Sequence, residues 1–222
     1  EMVFPCIFQE KWQKYLVVGD KCGILKNGLL LRFIYRSRKR KEAVRVNLKQ
    51  LLEGISYEVQ QGTADVEISD FQYDSRKVEK DGLFVCITGF QTDGHKYIPM
   101  ALEKGAVALL CEHRVENVPE GVTVLVTENN RIALALLSDH FYGHPSAEMN
   151  VIGVTGTNGK TSTTYLMKSI LDRIGKKVGI IGTIENRIGD EVLKAERTTP
   201  ESKELQALFR RMKNEDVTDV VM

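Results

Sequence analysis

The chain has 222 residues, with 31 Lys and Arg against 30 Asp and Glu, and 42% of its residues are hydrophobic. This composition is typical of a folded globular protein and excludes a disordered or collagen-like chain. A net charge of +1 gives no general attraction to nucleic acid or to an anionic membrane, so we expect neither as a partner.

The first 45 residues differ in charge from the rest of the chain. They hold 11 Lys and Arg and 4 Asp and Glu, whereas residues 46–222 hold 20 and 26. Their best apolar run, residues 28–31, is too short for a membrane span or a signal peptide core. Because position 1 is Glu1 rather than Met, we interpret residues 1–45 as a basic extension that is not native, with translation starting at Val46. The alternative is a genuine basic arm for RNA or anionic surfaces.

Cysteine usage indicates a reduced environment. The four cysteines are far apart, with no CxxC pair and no Cys/His ligand spacing. This pattern argues against a disulfide framework or a zinc motif and favours a cytoplasmic setting. One of them lies on a predicted buried strand, where we interpret it as a small core residue. The four are Cys6, Cys22, Cys86 and Cys111, and the strand cysteine is Cys86.

From about Asn47 onward, short apolar strands alternate with amphipathic helical patterns, which predicts an α/β domain with a largely parallel sheet. A helix is predicted from Asn130, as N-cap, to Leu137. Its buried side is expected to include Ile132, Leu134, Ala135 and Leu136. The other predicted elements are strands 83–87, 106–110 and 122–126 and a helix over 94–104.

Gly and Pro in residues 142–146 break any helix and predict a domain boundary near 143–150. A second α/β unit follows, with strands at 151–155 and 178–181 and a helix at 160–174. Thr199 and Pro200 are expected to open a last helix, with Thr199 as its cap. One face of helix 160–174 carries Leu166, Ile170 and Ile174, and one face of the last helix carries Leu205, Leu208, Phe209 and Met212.

The strongest chemical motif is the run GVTGTNGKT, residues 153–161, between a predicted strand and a helix. Its glycines let successive backbone N–H groups converge on phosphate oxygens, Lys160 can reach the terminal phosphates, and Thr161 can hold Mg²⁺. The strict pattern has Gly where this chain has Val154, so the loop is a variant. A turn that binds nothing is disfavoured by the Lys-Thr pair. The predicted ATP-binding residues are Gly156, Thr157, Asn158, Gly159, Lys160, Thr161 and Ser162.

Three further motifs accompany this loop: DSR at residues 74–76, GLFV at 82–85 with GFQTDGHKYI at 89–98, and TTP at 198–200. With the variant loop, they resemble the Mur ligase family, the ATP-dependent amide-forming enzymes of peptidoglycan synthesis, over residues 47–222. Among its members, the chain looks like the one that forms the tripeptide precursor. The resemblance implies a uridine-binding α/β domain at 46–149, followed by an incomplete parallel-sheet P-loop ATPase domain at 150–222.

The resemblance also implies the reaction. A diamino acid, meso-diaminopimelate or L-lysine, is added to UDP-N-acetylmuramoyl-L-alanyl-D-glutamate, with ATP and Mg²⁺, by a cytoplasmic monomer. The D-glutamate carboxylate takes the γ-phosphate, and the amine then displaces phosphate, so Lys160 is the expected catalytic residue and Thr161 the metal contact. The expected substrate contacts are Tyr73, Ser75, Phe90, Gln91, Thr92, Thr198 and Thr199.

The sequence leaves several alternatives open. Ser75 suits a turn equally well, the hydroxyls of Thr198 and Thr199 suit simple capping, and Phe90 stands where other members carry His. The reaction needs no side-chain nucleophile, so we interpret the four histidines as surface or packing residues. The chain ends before the family's later ligand-bearing segments and its C-terminal domain, so this fragment is expected to be inactive by itself. The competing function is a non-catalytic UDP-sugar and ATP-binding module or a decayed gene product.

Overall fold

The computed structural model describes residues 45–89 and 92–222, which form two five-stranded sheets and one two-stranded pair. Phe90, Gln91 and residues 1–44 lie outside the described residues. In chain order the strands are β1 (Val46–Asn47), β2 (Glu58–Gln61), β3 (Glu67–Ile68), β4 (Phe71–Gln72), β5 (Gly82–Val85), β6 (Ala106–Cys111), β7 (Thr123–Val126), β8 (Asn150–Ile152), β9 (Val178–Ile181), β10 (Glu185–Ile188), β11 (Glu191–Lys194) and β12 (Asp219–Val221).

The helices connect these strands. The α-helices are α1 (Leu48–Leu51), α2 (Ile98–Glu103), α3 (Asn130–Tyr142), α4 (Lys160–Arg173) and α5 (Ser202–Asn214). Short 3-10 helices cover Ser75–Lys77, Gly94–Tyr97 and Pro145–Glu148. No helix in the described ranges is both long and apolar enough to cross a bilayer.

The first sheet has the order β2-β7-β6-β5-β4, with β4 to β7 parallel and β2 antiparallel to β7. Alternate side chains of β5 and β6 are buried on opposite faces. Leu83 and Leu110 pack in the core that includes α3 residues, whereas Phe84 and Leu109 pack with Ile98 of α2. Helices therefore cover both faces, as the alternating sequence pattern predicted.

Two details of α3 correct the sequence prediction. Its N-cap is Asn129, whose side chain accepts from the backbone of Arg131 and Ile132, and not Asn130. Ile132 is 43% exposed and Ala135 is also exposed, so neither lies on the buried side. The helix runs on to Tyr142 and ends at Gly143, which adopts φ 71°.

Asn130 has a different role. Its fully buried side chain donates to the backbone oxygens of Cys86, at 2.6 Å, and Leu110, at 2.9 Å, and accepts from the Thr127 hydroxyl. These bonds tie the start of α3 to carbonyl groups at the carboxyl ends of β5 and β6, where Leu110 O also accepts the Cys86 N–H at 2.8 Å. Both asparagines suit a helix start, and only the tertiary structure separates the cap from the buried linker.

The second sheet has the order β11-β10-β9-β12-β8. The strands β9, β12 and β8 are parallel, as predicted, whereas β10 and β11 form an antiparallel hairpin at the edge. This hairpin was not predicted from the sequence, although Gly189 and Asp190 make a two-residue turn, with Gly189 at φ 58°.

The two helices of the second unit bury their apolar faces unequally. In α5, Phe209 and Met212 are buried in the core of the second sheet, where Leu205 and Leu208 also pack, as predicted. The helix begins at Ser202 with Glu201 at the N-cap position, so the prediction of Thr199 as cap was wrong. The predicted apolar face of α4 exists but is exposed: Leu166 63%, Ile170 55% and Ile174 66%.

Candidate functional site

The phosphate loop joins β8 to α4 at the carboxyl edge of the parallel strands. Backbone bonds between β8 and the chain around Met222 fix its start, with Val154 N–H donating to Met222 O at 2.6 Å. Gly156 and Gly159 adopt φ 148° and 78°, values that other residues rarely adopt. The loop therefore has the backbone form that glycine permits, at the position that the motif predicted.

The N-terminus of α4 is open for an anion. Gly159 is its N-cap and makes no side-chain capping bond, so the first N–H groups of the helix have no side-chain acceptor at the cap. The Lys160 ammonium lies over the loop and donates to Gly156 O at 2.5 Å. Helix dipole, free donors and this ammonium group together favour a polyphosphate.

A cleft of about 1040 Å³ opens beside the loop. It brings together two sets of residues that are 37 or more positions apart in the sequence, the phosphate loop and the TTP motif. The loop contributes Gly153 to Gly156, Lys160 and Thr161, and the opposite set contributes Thr198 and Thr199. Thr157, Asn158, Gly159 and Ser162, also predicted to bind ATP, are exposed and do not line this cleft.

The polar residues of the cleft that were not predicted from the sequence include Tyr165, Glu185 and Thr183. Tyr165 of α4 donates to Glu185 of β10 at 2.6 Å, and Thr183 Oγ1 lies 3.1 Å from Thr198 Oγ1. Hydrogen bonds from Tyr165 and Arg187 lower the pKa of the Glu185 carboxyl group, so it is anionic at neutral pH. No local motif marks these residues, because the edge hairpin alone brings Glu185 to the cleft.

The described members of the predicted uridine contacts, Tyr73, Ser75 and Thr92, belong to the first unit and do not line this cleft. Ser75 is buried, with its hydroxyl 3.3 Å from the Met100 sulfur, in a 3-10 turn that Asp74 caps. Thr92 Oγ1 lies 3.3 Å from the Tyr97 hydroxyl. The turn interpretation of Ser75 therefore has direct structural support. Phe90 and Gln91, which were also predicted as uridine contacts, lie outside the described residues.

Tyr73 lies near charged side chains of the second unit. Its burial and the nearby Glu204 carboxylate of α5 raise the pKa of the phenol well above its ordinary value. The Glu204 Oε2 atom is buried without a hydrogen-bond partner among the described residues. Tyr73 and Glu204 thus form a polar pair at the junction between the two units.

Two cations of α5 tie the units together. Lys203 donates to both carboxylate oxygens of Asp70, at 3.0 and 2.9 Å, and to the backbone oxygen of Phe71, over whose ring it lies at 4.7 Å. Seven residues later, Arg210 donates to the backbone oxygens of Tyr142, at 2.7 Å, and Gly143, at 2.6 Å. Neither contact could be predicted from the sequence, because these partners are 67 to 133 positions away.

Three of the four histidines have a hydrogen-bond partner for at least one ring nitrogen. His95 Nδ1 lies 2.5 Å from Asp93, and its Nε2 accepts the Glu112 N–H at 3.0 Å. His140 Nδ1 lies 2.8 Å from the backbone oxygen of Leu51, and His144 Nδ1 lies 2.6 Å from Asp139. The fourth, His113, stacks on His95 with ring centroids 4.0 Å apart.

Comparison with known protein families agrees with this arrangement. Residues 67–142 match the profile of the Mur ligase family, catalytic domain, and residues 154–222 match that of the Mur ligase middle domain. The first match lies in the sheet of the predicted uridine-binding unit and the second begins inside the phosphate loop. The chain belongs to the Mur ligase family, which confirms the resemblance noted from the sequence.

The similar curated proteins belong to one kind of Mur ligase. The chain is 46% identical over 177 residues to UDP-N-acetylmuramoyl-L-alanyl-D-glutamate--2,6-diaminopimelate ligase 1 of Clostridium acetobutylicum. It is 48% identical over 177 residues to the 2,6-diaminopimelate ligase of Alkaliphilus metalliredigens. Each alignment covers 80% of this chain and 36% of the relative, so the chain spans about a third of the relatives' length.

Solved structures agree on the fold. The described chain superimposes on a UDP-N-acetylmuramoyl-L-alanyl-D-glutamate--2,6-diaminopimelate ligase with a TM-score of 0.61 and 22% identity, covering 80% of this chain and 35% of that one. At this identity the match supports the α/β fold of both units and carries no argument about substrate.

Proposed function

We propose that this chain supplies the precursor-binding and ATP-binding parts of an ATP-dependent ligase that adds meso-diaminopimelate to UDP-N-acetylmuramoyl-L-alanyl-D-glutamate, as a cytoplasmic monomer. Residues 46–149 bind the uridine end and residues 150–222 bind ATP. The observation that carries the proposal is the cleft in which the phosphate loop faces Thr198 and Thr199. The relatives at 46% and 48% identity, named as 2,6-diaminopimelate ligases, support the choice of diamino acid.

The loop fits a nucleotide triphosphate. Gly156 and Gly159, both at positive φ, suit a loop whose backbone N–H groups converge on phosphate, and the uncapped start of α4 adds further donors. Lys160 holds the terminal phosphates, and it leaves its contact with Gly156 O to do so. The Thr161 hydroxyl, one residue into α4, is placed to hold Mg²⁺, which neutralises phosphate charge when bound.

The same cleft accommodates both partners of the first step. Thr198 and Thr199 bind the peptide end of the precursor, and the D-glutamate carboxylate attacks the γ-phosphate to give an acyl phosphate and ADP. The amine of the diamino acid then displaces phosphate and forms the amide. Both steps accumulate negative charge, so the contribution of Lys160 and the loop N–H groups is electrostatic rather than nucleophilic. Tyr73, Ser75, Phe90, Gln91 and Thr92 belong to the uridine side of the proposal.

Nucleotide binding by the 222-residue chain tests the ATP half. We expect a fluorescent ATP analogue to bind with Mg²⁺, and Lys160→Met to weaken binding about 100-fold, since a charge-assisted contact contributes about 1.5–3 kcal/mol. Lys168→Met is the matched control, because Lys168 lies on the same helix and pairs with Asp172 outside the cleft. Equal affinity of both variants would contradict the assigned role of the loop.

Precursor binding tests the part of the proposal that concerns the uridine end and the peptide end of the substrate. We expect UDP-N-acetylmuramoyl-L-alanyl-D-glutamate to bind in calorimetry, and UDP to compete for the same site. Thr198→Val and Thr199→Val should weaken the peptide-bearing precursor but leave UDP affinity unchanged, because UDP lacks the peptide carboxylate. Loss of UDP binding in these variants would place the uridine end at the cleft and contradict the assignment.

A further inference from the structure

The carboxyl ends of β5 and β6 hold a compact group of soft ligand atoms. Cys86 directly follows β5 and Cys111 ends β6, and the parallel pairing of Val85 with Leu110 sets the two cysteines side by side. Their sulfurs are 3.8 Å apart. His95 approaches from the 3-10 helix Gly94–Tyr97, and the ligand atoms of all three residues lie within 4.8 Å of one another.

The sulfur separation matches that of a tetrahedral metal site. Two thiolates bound to one ion at about 2.3 Å, at the tetrahedral angle, stand about 3.8 Å apart. Cys86 and Cys111 already have this spacing, at 3.8 Å, in the free-thiol form. Both are fully buried, so the protein core fixes their positions and an ion would need no strand movement to bind them.

The imidazole of His95 is prepared as the third ligand. Asp93 Oδ1 lies 2.5 Å from Nδ1, and this contact holds the proton on Nδ1. Nε2 accepts the N–H of Glu112 at 3.0 Å and is therefore the unprotonated nitrogen, the form that binds a metal, and an ion bound at Nε2 would replace this hydrogen bond. A carboxylate behind the distal nitrogen is the usual support of a histidine ligand.

We propose that Cys86, Cys111 and His95 form a binding site for a divalent cation of the zinc class. Two sulfurs and one imidazole nitrogen favour Zn²⁺ over Mg²⁺ or Ca²⁺, which prefer oxygen. His113 lies next to this group: its ring stacks on His95, and one ligand atom each of Asp93, His95 and His113 lie within 4.8 Å of one another. The sequence spacing argued against a zinc motif, because strand pairing brings together cysteines 25 positions apart.

In the sequence, the predicted uridine contacts Phe90, Gln91 and Thr92 lie between two of the proposed ligands, Cys86 and His95. A bound ion would tie Cys86 and His95 to Cys111 of β6. The role is structural: the ion holds these three residues together and does not take part in the ligase reaction. The proposal is therefore independent of the ligase activity and can be tested without it.

Cobalt is the probe for the test, because Co²⁺ bound to thiolates gives an intense charge-transfer absorption and tetrahedral ligand-field bands. We expect the reduced, metal-free 222-residue chain to bind one Co²⁺ with these bands, and Zn²⁺ to displace it. Cys86→Ser and Cys111→Ser should each weaken Zn²⁺ by more than about 100-fold, and Asp93→Asn by about 10-fold. The double variant Cys6→Ser, Cys22→Ser is the matched control and should keep the full signal.

A second measurement uses the unmodified chain, so that misfolding of a variant cannot affect its result. In the unmodified chain, Zn²⁺ should slow alkylation of Cys86 and Cys111 but not of Cys6 and Cys22, as mapped by peptide mass. Three results would overturn the proposal: no thiolate absorption with Co²⁺, a signal that survives Cys111→Ser, or a signal lost in the Cys6, Cys22 control. Oxidation of Cys86 and Cys111 to a disulfide, with no Zn²⁺ protection of the reduced pair, would also overturn it.

Discussion

Replacing Lys203 with Met tests how the two units are held together. The ammonium group of Lys203 contacts the Asp70 carboxylate and the Phe71 carbonyl and lies over the Phe71 ring. Met keeps most of the apolar stem and removes the charge. Breaking a buried pair costs about 3–5 kcal/mol, and the 23% exposure of the Asp70 side chain lets water recover part of that. We therefore expect a loss of about 2–3 kcal/mol in the free energy of unfolding.

Urea unfolding of the whole chain, followed by circular dichroism, measures this loss. Arg211→Met is the matched control on the same helix, since its pair with Glu191 is about half exposed and should contribute less than about 1 kcal/mol. The double variant with Asp70→Asn should lose little more than Lys203→Met alone, because the two residues act as one pair. Equal losses in Lys203→Met and Arg211→Met would refute the idea that this contact stabilises the junction.

Three further changes have distinct expected results. Gly159→Ala, at φ 78° with open space around a Cβ, should cost about 1–2 kcal/mol of unfolding free energy and weaken ATP about 10-fold, by melt and titration. Gly94→Ala places a Cβ 2.7 Å from the Ile87 backbone nitrogen and should cost about 2 kcal/mol or more in a thermal melt. The Asp139 hydrogen bond raises the pKa of His144, so charging stabilises the fold. His144→Gln should therefore destabilise by up to about 1 kcal/mol at pH 5 and not at pH 9, in urea melts; a pH-independent loss would contradict this.

The parts of the fold that sequence predicted are those with a local cause. The strands at 83–87, 106–110 and 178–181 were found within one or two residues, because continuous apolar runs between breakers demand burial on both faces. The phosphate loop was also predictable, since its glycines, Lys160 and Thr161 act within nine consecutive residues. In this loop the local sequence predicts both the backbone conformation and the phosphate-binding chemistry.

The parts that sequence did not predict depend on distant partners. Asn129 and Asn130 are equally suited to cap a helix, and only the carbonyls of Cys86 and Leu110, which are distant in sequence, decide which one is buried. The exposed apolar face of α4 is a similar case: the 3.6-residue period shows which side chains share a face and not what covers them.

The cysteine pair shows why spacing rules have this limit. A zinc motif in sequence is recognisable when one turn or hairpin carries its ligands, so short separations such as CxxC are diagnostic. In a parallel sheet, neighbouring strands are separated by a whole crossover, and side chains at the same level are about 25 positions apart, as Cys86 and Cys111 are. Ligands at the carboxyl edge of such a sheet are therefore invisible to local patterns, although this edge is where α/β proteins most often bind ligands. Thr198 is a similar case, because it lines the same cleft as the phosphate loop although the two are far apart in the sequence. In the sheet beside this cleft, β12 lies between β8 and β9 and pairs with each of them.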